Sequence, residues 1–370
     1  MNVSMINLPA QFAAIRDEVM AEVTAVLEAQ YFVLGPRVKK LEEQMAALAR
    51  MPHGIGVSSG TDGLILCLLA AGIKRGDDVI TTPYSFFSTA SCIVRVGAKP
   101  VFADVEPESF NLNLQQTEAA ITERTRAVLP VHLFGLVCDP AAWRALAKRY
   151  SVFLIEDACQ AVGARRGGFT AGGIGDLSAF SFYPTKNLGG AGDGGMVLAR
   201  DEHLAQLIRM DRVHGGRDRY HHDRVGICGR LDELQAAVLL VKMKHLAEWN
   251  ERRRRTASLY DQALRGTPVT TPRAPSDAYH TYHQYVIRAP KRDALRDFLK
   301  SRGIGCDIYY PVPLHLQPCF ADLGYRRGQF PVAERLCDET LALPMSAELT
   351  EAEVQTVAQG VRDFYGGARG

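Results

Sequence analysis

The chain has 370 residues, of which 47% are hydrophobic and 23% charged, and its formal net charge is +2. This length exceeds what one hydrophobic core normally supports, so we expect two domains, and the composition is typical of a globular chain rather than a disordered one. The near-balanced charge gives no reason to expect a polyanionic partner such as nucleic acid.

Cysteine usage and hydropathy exclude further classes. The eight cysteines form no CxxC pair, which argues against a zinc site and a disulfide framework. No apolar run is long enough to span a bilayer, and the N-terminal segment around Asp17 and Glu18 lacks the apolar core of a signal peptide. We expect a reduced, cytoplasmic protein with no metal site and no membrane contact.

Helices and short apolar runs alternate through the first half of the chain. Apolar residues from Phe12 to Val26 recur at helical spacing, and a second helix is predicted to begin at Pro36. Alternation of this kind predicts an α/β fold with a mainly parallel central sheet. The predicted strands are Val79–Thr81, Pro100–Ala103, Ala127–Val131, Val152–Glu156, Leu177–Phe182 and Met196–Ala199.

The second half begins with one long helix, predicted from Leu231 to about Leu264. Its basic run Arg252–Arg255 is interpreted as a solvated helical face. The last helix is predicted to open with a capping box formed by Thr350 and Glu353. We expect residues 1–245 to form a large domain and residues 246–370 a smaller C-terminal α/β domain.

A turn of small residues, Ser58–Gly63, leads into the apolar run Leu64–Ala71. Free backbone N–H groups at the start of such a helix, together with the helix dipole, suit a phosphate group. The turn contains neither a Walker loop nor GxGxxG. By itself the pattern is equally compatible with an ordinary capped helix.

A second feature is the buried strand that ends in Glu156-Asp157. In open α/β sheets the ligand crevice lies beyond the carboxyl ends of the strands, so Asp157 is a candidate functional acid. Capping of the next helix is an alternative role for this residue.

A third feature is an apolar strand that runs directly into Lys186 and then into the glycine-dense segment 189–195. Partial desolvation would lower the pKa of this lysine and make its neutral amine available as a nucleophile. A surface lysine at a strand end is the alternative.

These three features together supply what pyridoxal 5′-phosphate (PLP) requires. The cofactor needs a lysine for a Schiff base, an acid that keeps its pyridine nitrogen protonated, and a cradle for its phosphate. Phe86 could add an aromatic face over the ring. The joint occurrence of these residues in this order indicates a PLP enzyme.

From about residue 5 to residue 360 the sequence resembles the DegT/DnrJ/EryC1/StrS sugar aminotransferases, a branch of the fold-type-I PLP-dependent enzymes. The resemblance rests on three motifs: 156–161 (EDACQA), 181–186 (SFYPTK) with its GDGG tail, and 229–237 (GRLDELQAA). It implies that Lys186 binds PLP covalently, that Asp157 pairs with the pyridinium nitrogen, and that the remaining cofactor contacts come from Gln160, Phe86, Gly60, Thr61 and Ser181.

Within the family, segments 219–222 (RYHH) and 309–315 (YYPVPLH) resemble the branch that aminates C3 of UDP-linked 2-acetamido sugars. This resemblance implies a homodimer with shared active sites, glutamate as amino donor, and a nucleotide-sugar substrate contacted by Tyr31, Thr185, Arg230, Tyr309 and Tyr310. Amination at C4 of a 4-keto-6-deoxy sugar, a sugar dehydratase and a non-catalytic regulator are the alternatives.

The sequence departs from the family pattern at two cysteines. Cys228 stands where members usually carry an asparagine that reaches the cofactor phosphate of the neighbouring subunit, which puts that contact in doubt. Cys159 replaces a second alanine in the Glu-Asp-Ala-Ala-Gln motif. His280 and His283 are spaced like metal ligands, but no Cys or carboxylate cluster completes a site, so they are interpreted as loop histidines.

Overall fold

The computed structural model describes residues 2–366 and shows an α/β architecture. The helices in that range are α1 (Leu8–Ala29), α2 (Pro36–Ala49), α3 (Gly60–Ala70), α4 (Ser88–Arg95), α5 (Leu114–Ala119), α6 (Pro140–Tyr150), α7 (Glu202–Asp211), α8 (Glu233–Ala263), α9 (Arg292–Ser301), α10 (Pro331–Glu339) and α11 (Glu351–Gly366).

The strands of the same range form three sheets. They are β1 (His53–Val57), β2 (Asp78–Thr81), β3 (Lys99–Phe102), β4 (Thr125–Leu129), β5 (Phe153–Asp157), β6 (Arg165–Arg166), β7 (Phe169–Thr170), β8 (Leu177–Ser181), β9 (Gly195–Ala199), β10 (Ala278–Tyr279), β11 (Tyr285–Arg288) and β12 (Thr340–Leu343).

The central sheet has seven strands in the order β1-β9-β8-β5-β4-β2-β3. Strands β8, β5, β4, β2 and β3 are mutually parallel, and β9 runs antiparallel to both of its neighbours. The sheet lies between two hydrophobic clusters, one on each face, which explains the nearly continuous burial of its strands. All six predicted strands are present; the prediction missed β1, a short segment with two glycines.

This topology brings three chain segments to one edge of the sheet. Because β9 is antiparallel to β1 and to β8, strand β1 runs in the same direction as β8 and β5. At this shared edge, β1 leads into the start of α3, β5 ends at Asp157, and β8 leads into the segment that carries Lys186. The three features singled out in the sequence meet at this edge.

Helix α8 connects the clusters around the central sheet to a separate hydrophobic core. Its C-terminal half contributes Ala257 and Tyr260 to a cluster with β11, β12, α9 and α11. The basic run on α8 is not uniformly solvated, since Arg253 is buried and donates to three backbone carbonyls. The division of the chain near residue 245 stays a prediction.

The predicted helix boundaries agree closely with the structure. Helix α2 begins at Pro36, and the capping box of α11 is confirmed: Thr350 N donates to Glu353 Oε2 (2.8 Å) and Glu353 N to Thr350 Oγ1 (3.3 Å). Between residues 2 and 366, no helix combines the length and the apolar character that crossing a membrane requires.

Candidate active site

The three segments at the sheet edge are in direct contact around Gly60. A Cβ atom at this position would lie 2.7 Å from Cys159 Sγ and 2.9 Å from Ser181 Cβ. These separations are shorter than van der Waals contact, so only glycine allows the start of α3 to pack this closely against the ends of β5 and β8.

The start of α3 presents two free donors. Ser59 caps the helix, because its Oγ accepts from Asp62 N at 3.0 Å. The amides of Gly60 and Thr61 donate to no acceptor among residues 2–366. Two open N–H groups at the positive end of an 11-residue helix suit a phosphate. The capped-helix and phosphate-site interpretations of this turn are therefore compatible.

Asp157 is buried and its carboxylate is held on both sides. Oδ2 accepts from the hydroxyl of Thr89 at 2.8 Å, and Oδ1 accepts from Cys159 N at 3.2 Å. Ser85 Oγ lies 2.9 Å from Thr89 Oγ1 and extends the network. The sequence prediction missed Thr89, because a single threonine on α4 carries no local signal of a partner 68 residues away.

Lys186 lies five residues after β8 and is partly buried. Burial lowers the pKa of its amine, while the nearby Cys159 and Asp157 act in the opposite direction. Its Nζ makes no hydrogen bond within the described part of the chain. A neutral amine is the nucleophilic form, so this environment agrees with the desolvation expected from the sequence.

A second set of predicted residues lies near Asp157 and Cys159: Gln160, Tyr310 and Phe86. Gln160 Nε2 donates to Tyr310 Oη at 2.9 Å, and its Oε1 accepts from Phe134 N at 2.8 Å. The Tyr310 ring centroid is 6.4 Å from that of Phe86, which is 55% exposed and so has an accessible face. Burial raises the pKa of Tyr310. A predicted substrate residue thus directly contacts a predicted cofactor residue.

The other predicted substrate residues are less tightly grouped. Thr185 precedes Lys186 in the chain, and the Tyr309 ring lies 5.8 Å from that of Tyr310. Tyr31 is 55% exposed beyond the end of α1 and contacts Gly35. Within residues 2–366 it has no hydrogen bond or ring contact to the Lys186 group.

Arg230 and Cys228 contact each other at the end of an exposed loop. Arg230 Nη2 lies 2.9 Å from Cys228 Sγ, and the Arg230 backbone pairs with Val57 at the end of β1. The loop before them exposes Tyr220 and Val225 by 76% and 96%. Arg230 is thus anchored near the start of α3, whereas Cys228 points its thiol at Arg230.

The arrangement fits PLP. It offers an amine with a lowered pKa, a buried carboxylate, two free amides for a phosphate and an exposed aromatic face (Lys186, Asp157, Gly60, Thr61 and Phe86). The roles of these residues stay predictions. When bound, PLP supplies an electron sink, and the protein supplies orientation and electrostatics.

Comparison with known proteins agrees with this interpretation of the site. The DegT/DnrJ/EryC1/StrS aminotransferase family model matches residues 13–362. A "Pleiotropic regulatory protein" of Geobacillus stearothermophilus is 48% identical over 99% of both chains. The UDP-N-acetyl-3-dehydro-α-D-glucosamine 3-aminotransferase of Acidithiobacillus ferrooxidans is 42% identical over 97% of both.

A solved structure, that of DesV from S. venezuelae, is 39% identical and superposes with a TM-score of 0.96 over 98% of both chains. Family, sequence relatives and solved structure thus agree over nearly the whole chain. The predicted fold class and cofactor are confirmed, and the chain belongs to the DegT/DnrJ/EryC1/StrS aminotransferase family of PLP-dependent sugar aminotransferases.

Proposed function

We propose that this enzyme transfers the amino group of glutamate to C3 of a UDP-linked 2-acetamido-3-keto hexose or hexuronate. The observation that carries the transaminase assignment is the partly buried amine of Lys186, with a lowered pKa and no hydrogen-bond partner in the described chain, beside the buried carboxylate of Asp157. A free lysine amine of this kind can bind a carbonyl cofactor and also transfer protons.

Each residue has a distinct task in this proposal. Lys186 Nζ holds the cofactor and then carries a proton between the substrate carbon and the cofactor. Asp157 stabilises positive charge on the ring nitrogen, because an opposite charge a few ångströms away favours the charged form. Gly60 and Thr61 bind the phosphate through their amides, with Ser181 beside them.

Gln160 and Phe86 complete the proposed cofactor site. The Nε2 group of Gln160 has two protons, and its bond to Tyr310 uses one, so one donor remains for the phenolic oxygen. Phe86 covers the ring with its exposed face. The substrate would then lie against Thr185, Tyr309 and Tyr310, which are close to Lys186 in the chain or to Gln160 in space.

The position of amination rests on the relatives and on two sequence segments. The 42% identical relative is named a 3-aminotransferase acting on a UDP-linked 3-keto hexosamine. Arg230 offers a guanidinium fork that could bind a sugar carboxylate or hydroxyls. Tyr309 stands where the uronate-processing members that the sequence resembles carry a histidine, which favours a neutral hexosamine over a hexuronate.

Of the three alternatives, the dehydratase is left to the test below, and the other two are weighed here. Amination at C4 of a 4-keto-6-deoxy nucleotide sugar needs the same cofactor site but a different substrate, whose C4 rather than C3 faces the reactive amine. A regulatory role is suggested by the name of the 48% identical relative. The presence of Lys186, Asp157 and Gln160 in one contiguous site favours turnover over a purely regulatory function.

We further propose a homodimer in which both subunits complete each active site. Several apolar side chains after α1 are exposed by 36–55%, which supports burial against a second copy; they are Tyr31, Phe32, Val33 and Leu34. Such an interface would bring Tyr31 and the loop before Cys228 to the neighbouring site.

The test has two parts. First, borohydride reduction of the purified yellow protein, followed by peptide mapping, should place the cofactor adduct on Lys186; an adduct on another lysine would overturn the site. Second, the enzyme with glutamate is offered 3-keto and 4-keto nucleotide sugars, each made by its own upstream enzyme, and products are identified by mass.

Amination of the UDP-linked 3-keto sugar supports the proposal. Amination of only the 4-keto sugars would replace C3 by C4, and loss of water without amine incorporation would indicate a dehydratase. Asp157→Asn should retain the cofactor but slow turnover strongly, and a native rate would show that another acid serves the ring.

A further inference from the structure

A buried cluster of polar side chains lies directly behind Lys186. It consists of Asn187, Asn250 and His283, which are 5%, 2% and 4% exposed. They come from the lysine segment, the middle of α8 and the loop before β11. None of the roles proposed above uses these residues, although Asn187 is the chain neighbour of Lys186.

Two backbone carbonyls fix the orientation of both asparagines. Asn250 Nδ2 donates to Val162 O at 3.2 Å, so its Oδ1 faces Asn187. Asn187 Nδ2 donates to Asn250 Oδ1 at 2.8 Å and to Thr281 O at 3.1 Å. Carbonyl oxygens only accept, so neither amide can be reversed without losing these bonds. Both protons of Asn187 Nδ2 are therefore used.

This orientation determines the tautomer of His283. Asn187 Oδ1 lies 3.2 Å from His283 Nδ1 and can only accept, so Nδ1 carries the proton. Burial lowers the pKa of His283 well below its usual value, and the nearby Lys186 and Arg253 act in the same direction. The ring is therefore neutral and donates through Nδ1.

The backbone of the same loop supports Gln160. His283 N donates to Phe134 O at 2.8 Å, and Phe134 N donates to Gln160 Oε1 at 2.8 Å. Phe134 has a φ of +54°, a conformation that a bulky side chain rarely adopts. The hydrogen bonds on both sides of this residue hold it in that conformation.

We propose that His283 is a positioning residue for the reaction. Its Nδ1–H fixes Asn187 and thereby the turn that presents Lys186, and its backbone fixes Phe134 and thereby Gln160. The inference rests on the role proposed for Lys186. Hydrogen bonds join all three side chains, and a reversed amide would leave a buried polar group unpaired, so the network favours one arrangement. The lysine and the glutamine are thus held in a fixed relation by one loop.

The test compares two substitutions at this position. His283→Asn places an amide donor where Nδ1 stands, whereas His283→Gln carries its amide further out, near the position of Nε2. His280→Gln is the matched control, because His280 is equally buried in the same loop but contacts Tyr282 N rather than Asn187. The readouts are kcat, the Kd for PLP, the pH midpoint of the bound cofactor's visible absorption and Tm.

We expect His283→Gln to lower kcat about 10- to 100-fold, since a small misplacement of a reacting group has effects of this size. It should also shift the pH midpoint and weaken PLP binding. His283→Asn should retain most of the wild-type kcat, pH midpoint and PLP affinity. His280→Gln should lower Tm without moving the midpoint. Equal behaviour of His283→Gln and His280→Gln, or no rescue by asparagine, would overturn the inference.

If His283→Gln does not fold, Asn187→Ser tests the same contact from the other side, because serine is too short to present an acceptor there. A normal midpoint in that variant would also overturn the inference. Borohydride labelling of Lys186 in the unmodified enzyme separates the two questions: its failure overturns the site itself, whereas correct labelling with unaffected His283 variants overturns only the positioning role.

Discussion

Replacing Thr89 by valine tests whether the hydroxyl behind Asp157 holds that carboxylate in place. Valine keeps the shape of the side chain but removes the group that donates to Asp157 Oδ2 at 2.8 Å. Because the single hydroxyl proton goes to Asp157, Ser85 must be the donor in its own 2.9 Å contact with Thr89. The substitution therefore removes the donor to Asp157 Oδ2 and the acceptor of the Ser85 hydroxyl, while Cys159 N still donates to Asp157 Oδ1.

The expected loss follows from the burial of both groups. Thr89 and Asp157 are 0% and 5% exposed, so water does not replace the lost bond. A hydrogen bond to a charged group contributes about 1.5–3 kcal/mol, which corresponds to a roughly 10- to 150-fold change in the folded-to-unfolded ratio. Thr89→Ser keeps the hydroxyl and should lose only about 1 kcal/mol for the missing methyl group.

The assay is denaturant unfolding of the apoprotein at fixed protein concentration, together with the Kd for PLP. Thr89→Val is made in the wild-type background and in an Asp157→Ala background, which forms a double-mutant cycle. If the bond to Asp157 causes the loss, most of the loss should disappear in the second background. An equal loss in both backgrounds would refute the reasoning.

Three further predictions concern the same site. Gly60→Ala should destabilise the protein by about 1–3 kcal/mol and weaken PLP binding, because the new Cβ would lie 2.7 Å from Cys159 Sγ; Tm and Kd measure this. Lys186→Met should stabilise the apoprotein at pH 7, because burial lowers the pKa of Lys186 in the folded protein. At pH values below that pKa, a lowering by one pKa unit reduces the free energy of unfolding of the unmodified protein by about 1.4 kcal/mol. This advantage should shrink as the pH rises towards about 10.4, and unfolding at pH 7 and pH 10 tests the sign. Cys228→Asn should tighten PLP binding by about 0.5–1.5 kcal/mol if a cross-subunit phosphate contact is missing, and unchanged retention on dialysis would contradict this.

Much of the fold and of the candidate site is encoded locally. The strands of the mainly parallel sheet are short apolar runs. Asp157 is the last residue of one of them and Lys186 lies five residues after another, so their positions at the sheet edge could be inferred from order along the chain. The turn at Gly60 was recognisable because it joins small residues to an apolar helix. Strand β1 escaped prediction, since its glycines weaken the strand signal.

The tertiary structure alone decided which polar side chains support these residues. Thr89 reaches Asp157 across 68 positions, His283 reaches Asn187 across 96, and Gln160 reaches Tyr310 across 150. Hydrogen bonds between distant residues leave no periodic trace in the sequence, because burial of a polar side chain depends on what packs around it rather than on its neighbours in the chain. The sequence thus determined the sheet and the candidate reactive groups, whereas packing between remote segments decided how those groups are held.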